Sequence, residues 1–454
     1  LNGEKPELLL PAGTLQNLKT AFLYGADAVY CGMPSFSLRS KSGFSPDEAY
    51  EGIKIARSIG KKVYLALNLY AHNKDLENIS DAISLIDDLK PDGIIVSDSG
   101  VFSLIKKELP KLPICVSTQA NLTNWAAVDF WRQQGADKVV LARECSFEEI
   151  KFIREKCPNV KIETFIHGAM CMSMSGRCLL SNFLSARDAN RGECSQSCRW
   201  KYKLGAKFRE EFDFALEEEN RGGEFFEIEE TDEGSHILSS KDLCLMPVLD
   251  KYLQAGINSF KIEGRHKNEF YTATAAKAYR NAIDDWFENS DGWNYKNHMP
   301  ILYSTQNRGL TLGFHSGALT DSAHDYETTK SLGEFRFAGI VKEWDGDSFI
   351  FEVRNTLEVG DEIEFVSVNS AEIKLKLKRI IDAKSGCEIL KVSAGQGYCI
   401  RILAEDFDGF EVGEVKKNVL PLCVARVAVK GQSLSEKKII ENRKISFAEE
   451  ICKK

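Results

Sequence analysis

The 454-residue chain has no long apolar stretch: runs such as Leu8–Leu10 and Gly93–Val96 fall far short of the ~20 residues a membrane helix needs. Its first residues, Leu1 to Pro6, hold no apolar signal core, so a cytoplasmic chain outside any membrane is expected. Proline (11) and glycine (33) are too sparse for a collagenous or low-complexity polymer. Positive charge is not in surplus either. Lys and Arg number 59 against 67 Asp and Glu, leaving −8, so any nucleic acid must be met by a local basic patch. The phosphate loops G-x-G-x-x-G and G-x-x-x-x-G-K-[ST] are missing, which counts against a doubly wound nucleotide-binding sheet. So are H-E-x-x-H and G-x-S-x-G, and the seven histidines have no spaced partners. A hydrolase needs an activated nucleophile or a metal-bound water, and neither has a sequence signature here.

What the chain does have is a repeated pattern. Short continuous apolar runs start near Glu7, Asp27, Lys62, Gly93, Ile114, Lys138, Val160 and Asn258, and amphipathic stretches separate them. Continuous apolarity suits parallel strands covered on both faces. Eight of them alternating with helices predict a (β/α)8 barrel over residues 1–287. The turns Gly25-Ala26-Asp27 and Gly135-Ala136-Asp137 share one design, a glycine cap followed by an aspartate before the next strand. The seventh crossover is far longer than its neighbours, and residues 168–257 read as an insertion. Within it, Glu210–Glu233 reads as an acidic hairpin or solvated excursion, and Lys241–Gln254 resumes the helical pattern. Residues 288–333 read as a linking segment. From Phe335 the apolar period changes to two, which predicts a small all-β barrel over 334–417. The tail, 418–454, stays unassigned.

The insertion carries Cys171, Cys178, Cys194 and Cys198, spaced C-x6-C-x15-C-x3-C, directly after a strand whose end should lie on the barrel's C-terminal rim. Active sites sit on that rim in this fold. An odd total of 13 cysteines fits a reducing compartment, where thiols serve metals or chemistry more often than disulfides. Four buried thiols, a four-cysteine zinc site and an iron–sulfur cluster all remain open on spacing alone. Cys244 is a fifth candidate, read as the core face of a following helix. Rim positions also project Tyr30, Asn68, Asp98, Gln119, Asn121, Arg143, Glu144, His167, Glu263 and Arg265. Among these, His167 or Glu263 is the candidate proton-transfer group, and Arg143 and Arg265 are candidate clamps for carboxylates. A structural salt bridge joining Glu263 or Arg265 to Arg143 or Glu144 is the competing reading. Arg199, Lys201 and Lys203 alternate with aromatics, and Lys374, Lys376 and Lys378 alternate along a β strand. Both sets are candidate RNA contacts, with a solvated strand as the plain alternative for the second.

The stretches Glu163-Thr164-Phe165-Ile166-His167-Gly168-Ala169-Met170-Cys171, Ser175-Gly176-Arg177-Cys178, Arg191-Gly192-Glu193-Cys194-Ser195-Gln196-Ser197-Cys198 and Lys261-Ile262-Glu263-Gly264-Arg265 resemble the signature of the peptidase U32 (collagenase-like) family. That resemblance implies a [4Fe-4S] cluster on Cys171, Cys178, Cys194 and Cys198. It further implies oxygen-independent RNA hydroxylation, most similar to the branch that converts tRNA wobble uridine to 5-hydroxyuridine with prephenate as co-substrate. An accessory electron-transfer protein is a possible partner on that reading. A collagenase-like peptidase and a non-catalytic RNA-binding iron–sulfur or zinc protein are the alternatives.

Overall fold

The computed structural model describes residues 4–32, 43–171, 173–178, 194–195, 198, 240–319, 323–325, 330–369, 373–395 and 397–453, with the backbone alone of short strands between 215 and 235. Seven strands run in order: β1 (Glu7–Pro11), β2 (Ala28–Gly32), β3 (Lys62–Leu67), β4 (Gly93–Val96), β5 (Ile114–Val116), β6 (Lys138–Val140) and β7 (Lys161–Ala169). A closing strand, Ser259–Ile262, pairs in parallel with both β7 and β1, so the eight form the expected closed barrel. Helices fill the crossovers. Pro46–Ser58 starts at a capping box between Ser45 and Glu48, with Pro46 in the first turn, where its missing N–H costs nothing.

The shared Gly-Ala-Asp turns have a physical cause. Asp27, Asp92 and Asp137 each sit just before an even-numbered strand, and each carboxylate accepts an N–H from the first or second residue of the odd-numbered strand beside it. The bonds are 3.0 Å to Leu8, 2.8 Å to Val63 and 3.0 Å to Ile114. Asn258 does the same for Ile162 at 2.9 Å. The barrel therefore repeats in pairs of strands, each pair stitched at its N-terminal end. Gly25 (φ 101°) and Gly135 (φ 90°) supply the left-handed turn that brings each aspartate into place.

The interior departs from the usual layers of branched aliphatics. Glu163, fully buried, receives Lys138 Nζ at 2.6 Å, Lys261 Nζ at 3.1 Å and Ser259 Oγ at 2.9 Å. Lys138 also reaches Glu7 at 2.8 Å, and Tyr64 Oη donates to Glu7 at 3.0 Å. Burial alone would raise the Glu163 carboxyl, but the two ammoniums more than reverse this and hold it at about 2. A chain of alternating charge thus fills the barrel's lower half. It meets solvent at a concave depression of about 1240 Å³ on the N-terminal face, lined by Glu7, Lys62, Tyr64 and Lys138 among others.

The C-terminal domain is an antiparallel half-barrel of eight strands. Its core is built from Phe349, Phe351, Phe365 and Phe407. The strand expected to carry Lys374, Lys376 and Lys378 ends at Lys376, and Ile373–Lys376 and Ile380–Asp382 are separate strands. The tail, unassigned from sequence, supplies two elements. Val424–Ala428 sits inside the sheet between Phe335–Asp345 and Glu362–Phe365, and Leu434–Cys452 forms a long helix. Tyr24 joins the two domains, donating to the Val366 carbonyl at 2.6 Å and accepting from Val424 N at 3.1 Å.

Two further expectations are corrected. Lys241–Gln254 is not one helix: Asp242–Cys244 is a strand antiparallel to β7, and only Leu249–Gln254 is α-helical. The linking segment contributes Leu310–Thr311, a strand paired with Asp242–Cys244, and so belongs to the barrel sheet. The acidic excursion holds a hairpin, with Ala215–Glu217 antiparallel to Phe225–Glu227.

Candidate functional site

The C-terminal ends of the strands converge on a polar mouth. Arg143, just after β6, lies over the Phe165 ring at 3.9 Å and donates to the Ala169 carbonyl at 3.0 Å. Its guanidinium stands 3.5 Å from the Glu263 carboxylate, which also accepts from Tyr30 Oη at 3.2 Å. The salt bridge weighed from sequence is therefore present, and it joins Arg143 to Glu263. Arg265 is buried behind it, 5.9 Å from the Tyr30 ring centre. Gly13 permits this approach, since a Cβ there would fall 2.3 Å from the Arg265 carbonyl oxygen. Lys261 joins mouth to interior, its ammonium 4.4 Å from the centre of the same tyrosine ring.

Across the mouth, Asn68 Nδ2 donates to Gln119 Oε1 at 2.8 Å, and Ser97 Oγ donates to that oxygen at 3.2 Å. Asp98 is a helix cap, accepting from Val101 N at 2.9 Å. Glu144 faces the cysteine loop. Its carboxylate takes the Ser175 N–H at 2.5 Å and the Ser175 hydroxyl at 2.7 Å. Ser175 is held in left-handed backbone (φ 46°) by this grip. Arg177 donates to the Gln119 carbonyl at 2.9 Å and to Tyr70 Oη at 2.9 Å. The segment between Cys171 and Cys178 is thereby fastened to the rim on both sides of Gly176. Ser175 and Tyr70 were missed as functional from sequence, although Ser175 lies inside the motif that flanks Cys178.

His167 is not at the mouth. Strand alternation from Glu163 and Phe165, which point inward, would aim it inward too. The register with the closing strand slips here, Phe165 opposing Lys261 and His167 opposing Ile262, so Ile166 is an extra residue. The bulge turns His167 out toward the helix Glu269–Glu288. There its Nδ1 lies 3.4 Å from Tyr279 Oη, and its ring stacks on Tyr271. Burial lowers the imidazole to about 4, so it is neutral near pH 7. Cys244 lies in the same pocket, its Sγ 3.7 Å from Tyr279 Oη, and burial pushes its thiol up to about 11. It is a core thiol, as read, but on a strand rather than a helix.

The four loop cysteines differ in kind. Cys31, Cys115, Cys145, Cys157, Cys244 and Cys423 are buried, whereas Cys171 and Cys194 are exposed and Cys178 and Cys198 half-buried. None of the 13 is in a disulfide. Among the described residues no three His, Cys, Asp or Glu side chains gather as a metal-binding set, so the described geometry does not itself draw the four thiols together. Their donor chemistry fits an iron–sulfur cluster: four thiols, none of them fully buried, with Cys171 and Cys178 bracketing Ser175 and Arg177, which are stapled to the mouth.

Neither basic set gains support. Arg199, Lys201 and Lys203 lie outside the described residues. Lys374 pairs with Glu362 at 3.1 Å and Glu364 at 2.9 Å, and Lys378 pairs with Asp408 at 2.6 Å. Acidic partners thus offset two of the three β-strand lysines, with Lys376 exposed between them.

The description "Peptidase family U32" matches residues 13–325, and "Peptidase family U32 C-terminal domain" matches 334–411. The chain belongs to peptidase family U32. Among U32 relatives, "tRNA hydroxylation protein P" of Escherichia coli (strain K12) is 36% identical over 87% of this chain and 93% of its own length. "tRNA hydroxylation protein P1" of Bacillus subtilis (strain 168) is 37% identical over 80% of this chain and 83% of its own. A "Collagenase" of Porphyromonas gingivalis is 30% identical over 82% and 89%. The helix Leu434–Cys452 lies beyond both U32 matches.

Proposed function

We propose that this protein is an RNA-modifying enzyme that hydroxylates the wobble uridine of tRNA at carbon 5, with prephenate as co-substrate and a [4Fe-4S] cluster on Cys171, Cys178, Cys194 and Cys198. The observation that carries the reading is the coincidence of two things. Relatives named for tRNA hydroxylation match most of the chain, and Glu263, Ser175 and Arg177 of the family's motifs meet Arg143, Glu144 and Gln119 at one polar mouth. The cluster, when bound, supplies redox or Lewis-acid chemistry at that mouth.

The chain's own residues perform the rest. Asn68 and Gln119 present amide groups of the kind that hold the edge of a flipped-out pyrimidine. Glu263, held by Tyr30 and Arg143, is the group placed to accept or return a proton at the base ring. Arg143 and Arg265 supply positive charge for the carboxylates of the small dianion. Glu144, Ser175 and Arg177 hold the cysteine loop against the mouth. His167 takes no part in proton transfer on this reading, because it is buried and neutral among tyrosines.

Peptide hydrolysis is the competing reading. The geometry favours it less, since the one motif histidine faces Tyr279 and the thiol beside it, Cys244, is pushed up to about 11. The test is nucleoside mass spectrometry of tRNA from a deletion strain without a backup enzyme. Loss of 5-hydroxyuridine-derived nucleosides, restored by the wild-type gene but not by Glu263→Gln, is expected. Unchanged nucleosides would exclude the hydroxylase. Salt-sensitive tRNA binding with no change of nucleoside mass would leave a binding protein.

A further inference from the structure

The C-terminal helix Leu434–Cys452 presents Arg443, Ser446, Phe447 and Glu450 at helical spacing on one face. Phe447 is fully buried, as a packing residue should be. The other three are polar, and Arg443 and Glu450 are buried as well. A helix held only for stability would bury an apolar stripe there. Buried ion pairs add little net stability over apolar packing, but they can select one geometry.

The partners of this face are specific. The Arg443 guanidinium forms a buried ion pair with Asp325 and donates to the Asn307 carbonyl at 2.8 Å and the Lys330 carbonyl at 3.1 Å. Glu450 accepts from Thr311 Oγ1 and Leu312 N, both at 3.1 Å. Ser446 Oγ accepts from Lys241 Nζ at 3.0 Å. Residues 307–311 and 323–325 flank the strand Asp242–Cys244. Lys241 N donates to the Ala323 carbonyl at 3.0 Å, Asp242 N to the Gly309 carbonyl at 2.9 Å, and Arg308 pairs with Asp242 inside the protein. The strand is in turn antiparallel to β7, with Asp242 opposite Ala169, and Ser240 Oγ donates to the Met170 carbonyl at 3.0 Å. Met170 is the residue before Cys171. The residues that lead into and out of the cysteine-bearing part of the insertion, 168–170 and 240–244, thus meet in one neck, and the helix grips the segments that brace it.

We propose that the C-terminal helix is a strap that sets the neck of the cysteine-bearing insertion, with Arg443 as its positioning residue. The proposal rests on the neck geometry and holds whatever the cysteines bind. Its test is hydrogen exchange by mass spectrometry on the full chain, combined with peptide-mapped alkylation of Cys171 against Cys387, an exposed thiol of the other domain. Arg443→Lys keeps the charge and loses the planar fork. It should speed exchange at 168–170 and 240–244 about tenfold, while β1–β4 exchange at the wild-type rate. Labelling of Cys171 relative to Cys387 should rise in parallel. Glu450→Gln should act in the same direction, more weakly. Lys444→Ala, which removes a pair with Glu334 on another face of the same helix, should match wild type. Unchanged exchange at the neck in both Arg443→Lys and Glu450→Gln would overturn the proposal. So would an equal acceleration in β1–β4, which would make the helix a general stabiliser. Iron content, measured separately, reports on the cluster and not on the strap.

Discussion

The two ends of the barrel carry similar residue types and put them to opposite uses. At the N-terminal end, Glu7, Lys138, Glu163 and Lys261 neutralise one another within hydrogen-bond distance, and the Asp27-type stitches tie strand to strand. At the mouth, Arg143, Glu263, Glu144 and Arg177 hold loops and one another at the C-terminal ends of the strands. Charge that is fully paired inside the barrel fixes its shape, whereas charge at the rim, on loops, is in position to meet a ligand. Lys261, between Glu163 and the Tyr30 ring, is the link between the two.

Substitutions should separate the ends. The largest effect is expected at the loop thiols: Cys171→Ser or Cys194→Ser should abolish nucleoside hydroxylation and bound iron, with the barrel's far-UV circular dichroism retained. Next, Glu263→Gln or Arg143→Ala should lower the hydroxylation rate by about 10²- to 10⁴-fold with little change in melting temperature, as for removal of a proton-transfer or charge-stabilising group. At the other end, Glu163→Gln should do the reverse. It leaves two buried ammoniums short of their partner and should cost about 3–5 kcal/mol in denaturant unfolding, while the folded fraction keeps its turnover. A rate loss at Glu163 exceeding that of Arg143→Ala would erase the distinction between the ends.

A smaller effect belongs to pH. His167 is held at about 4 in the folded chain, against about 6.5 unfolded. Its neutral form is bound in the fold, so its contribution is complete above about 6.5 and is lost as pH falls toward 4. Asp242 and Lys267 act on it from opposite signs and leave that direction unchanged. Unfolding titrations should show stability falling through this window, and His167→Phe should flatten it. The smallest effect is expected at the β-strand lysines. Lys374→Ala removes the ion pairs of an exposed lysine and leaves Glu364 paired with Arg426, so it should change stability by less than about 1 kcal/mol. It should leave tRNA affinity near wild type, as read by filter binding at two salt concentrations.

Much of the barrel was legible because parallel strands covered on both faces write themselves as continuous apolar runs, and all eight appear where those runs fall. The cysteine loop and the pairing of Arg143 with Glu263 were legible as a group on the rim. His167 was not. A single bulge at Ile166 reverses which way a side chain points, and it leaves no trace in apolar period. The tail strand Val424–Ala428 was hidden because it pairs with residues about sixty and about ninety positions away and is followed by a charged helix whose buried face is largely polar. Lys374 and Lys376 read as a basic stripe until the neighbouring strand set Glu364 and Glu362 opposite them.

On the proposed reading, one inorganic cluster on Cys171, Cys178, Cys194 and Cys198 makes the mouth the chemical end. Iron, acid-labile sulfide and zinc measured per chain on anaerobically purified protein test it most directly. About four irons and four sulfides per chain, with a broad visible absorption band lost in Cys171→Ser, is the predicted result. A colourless protein carrying stoichiometric zinc, or no metal at all, contradicts it.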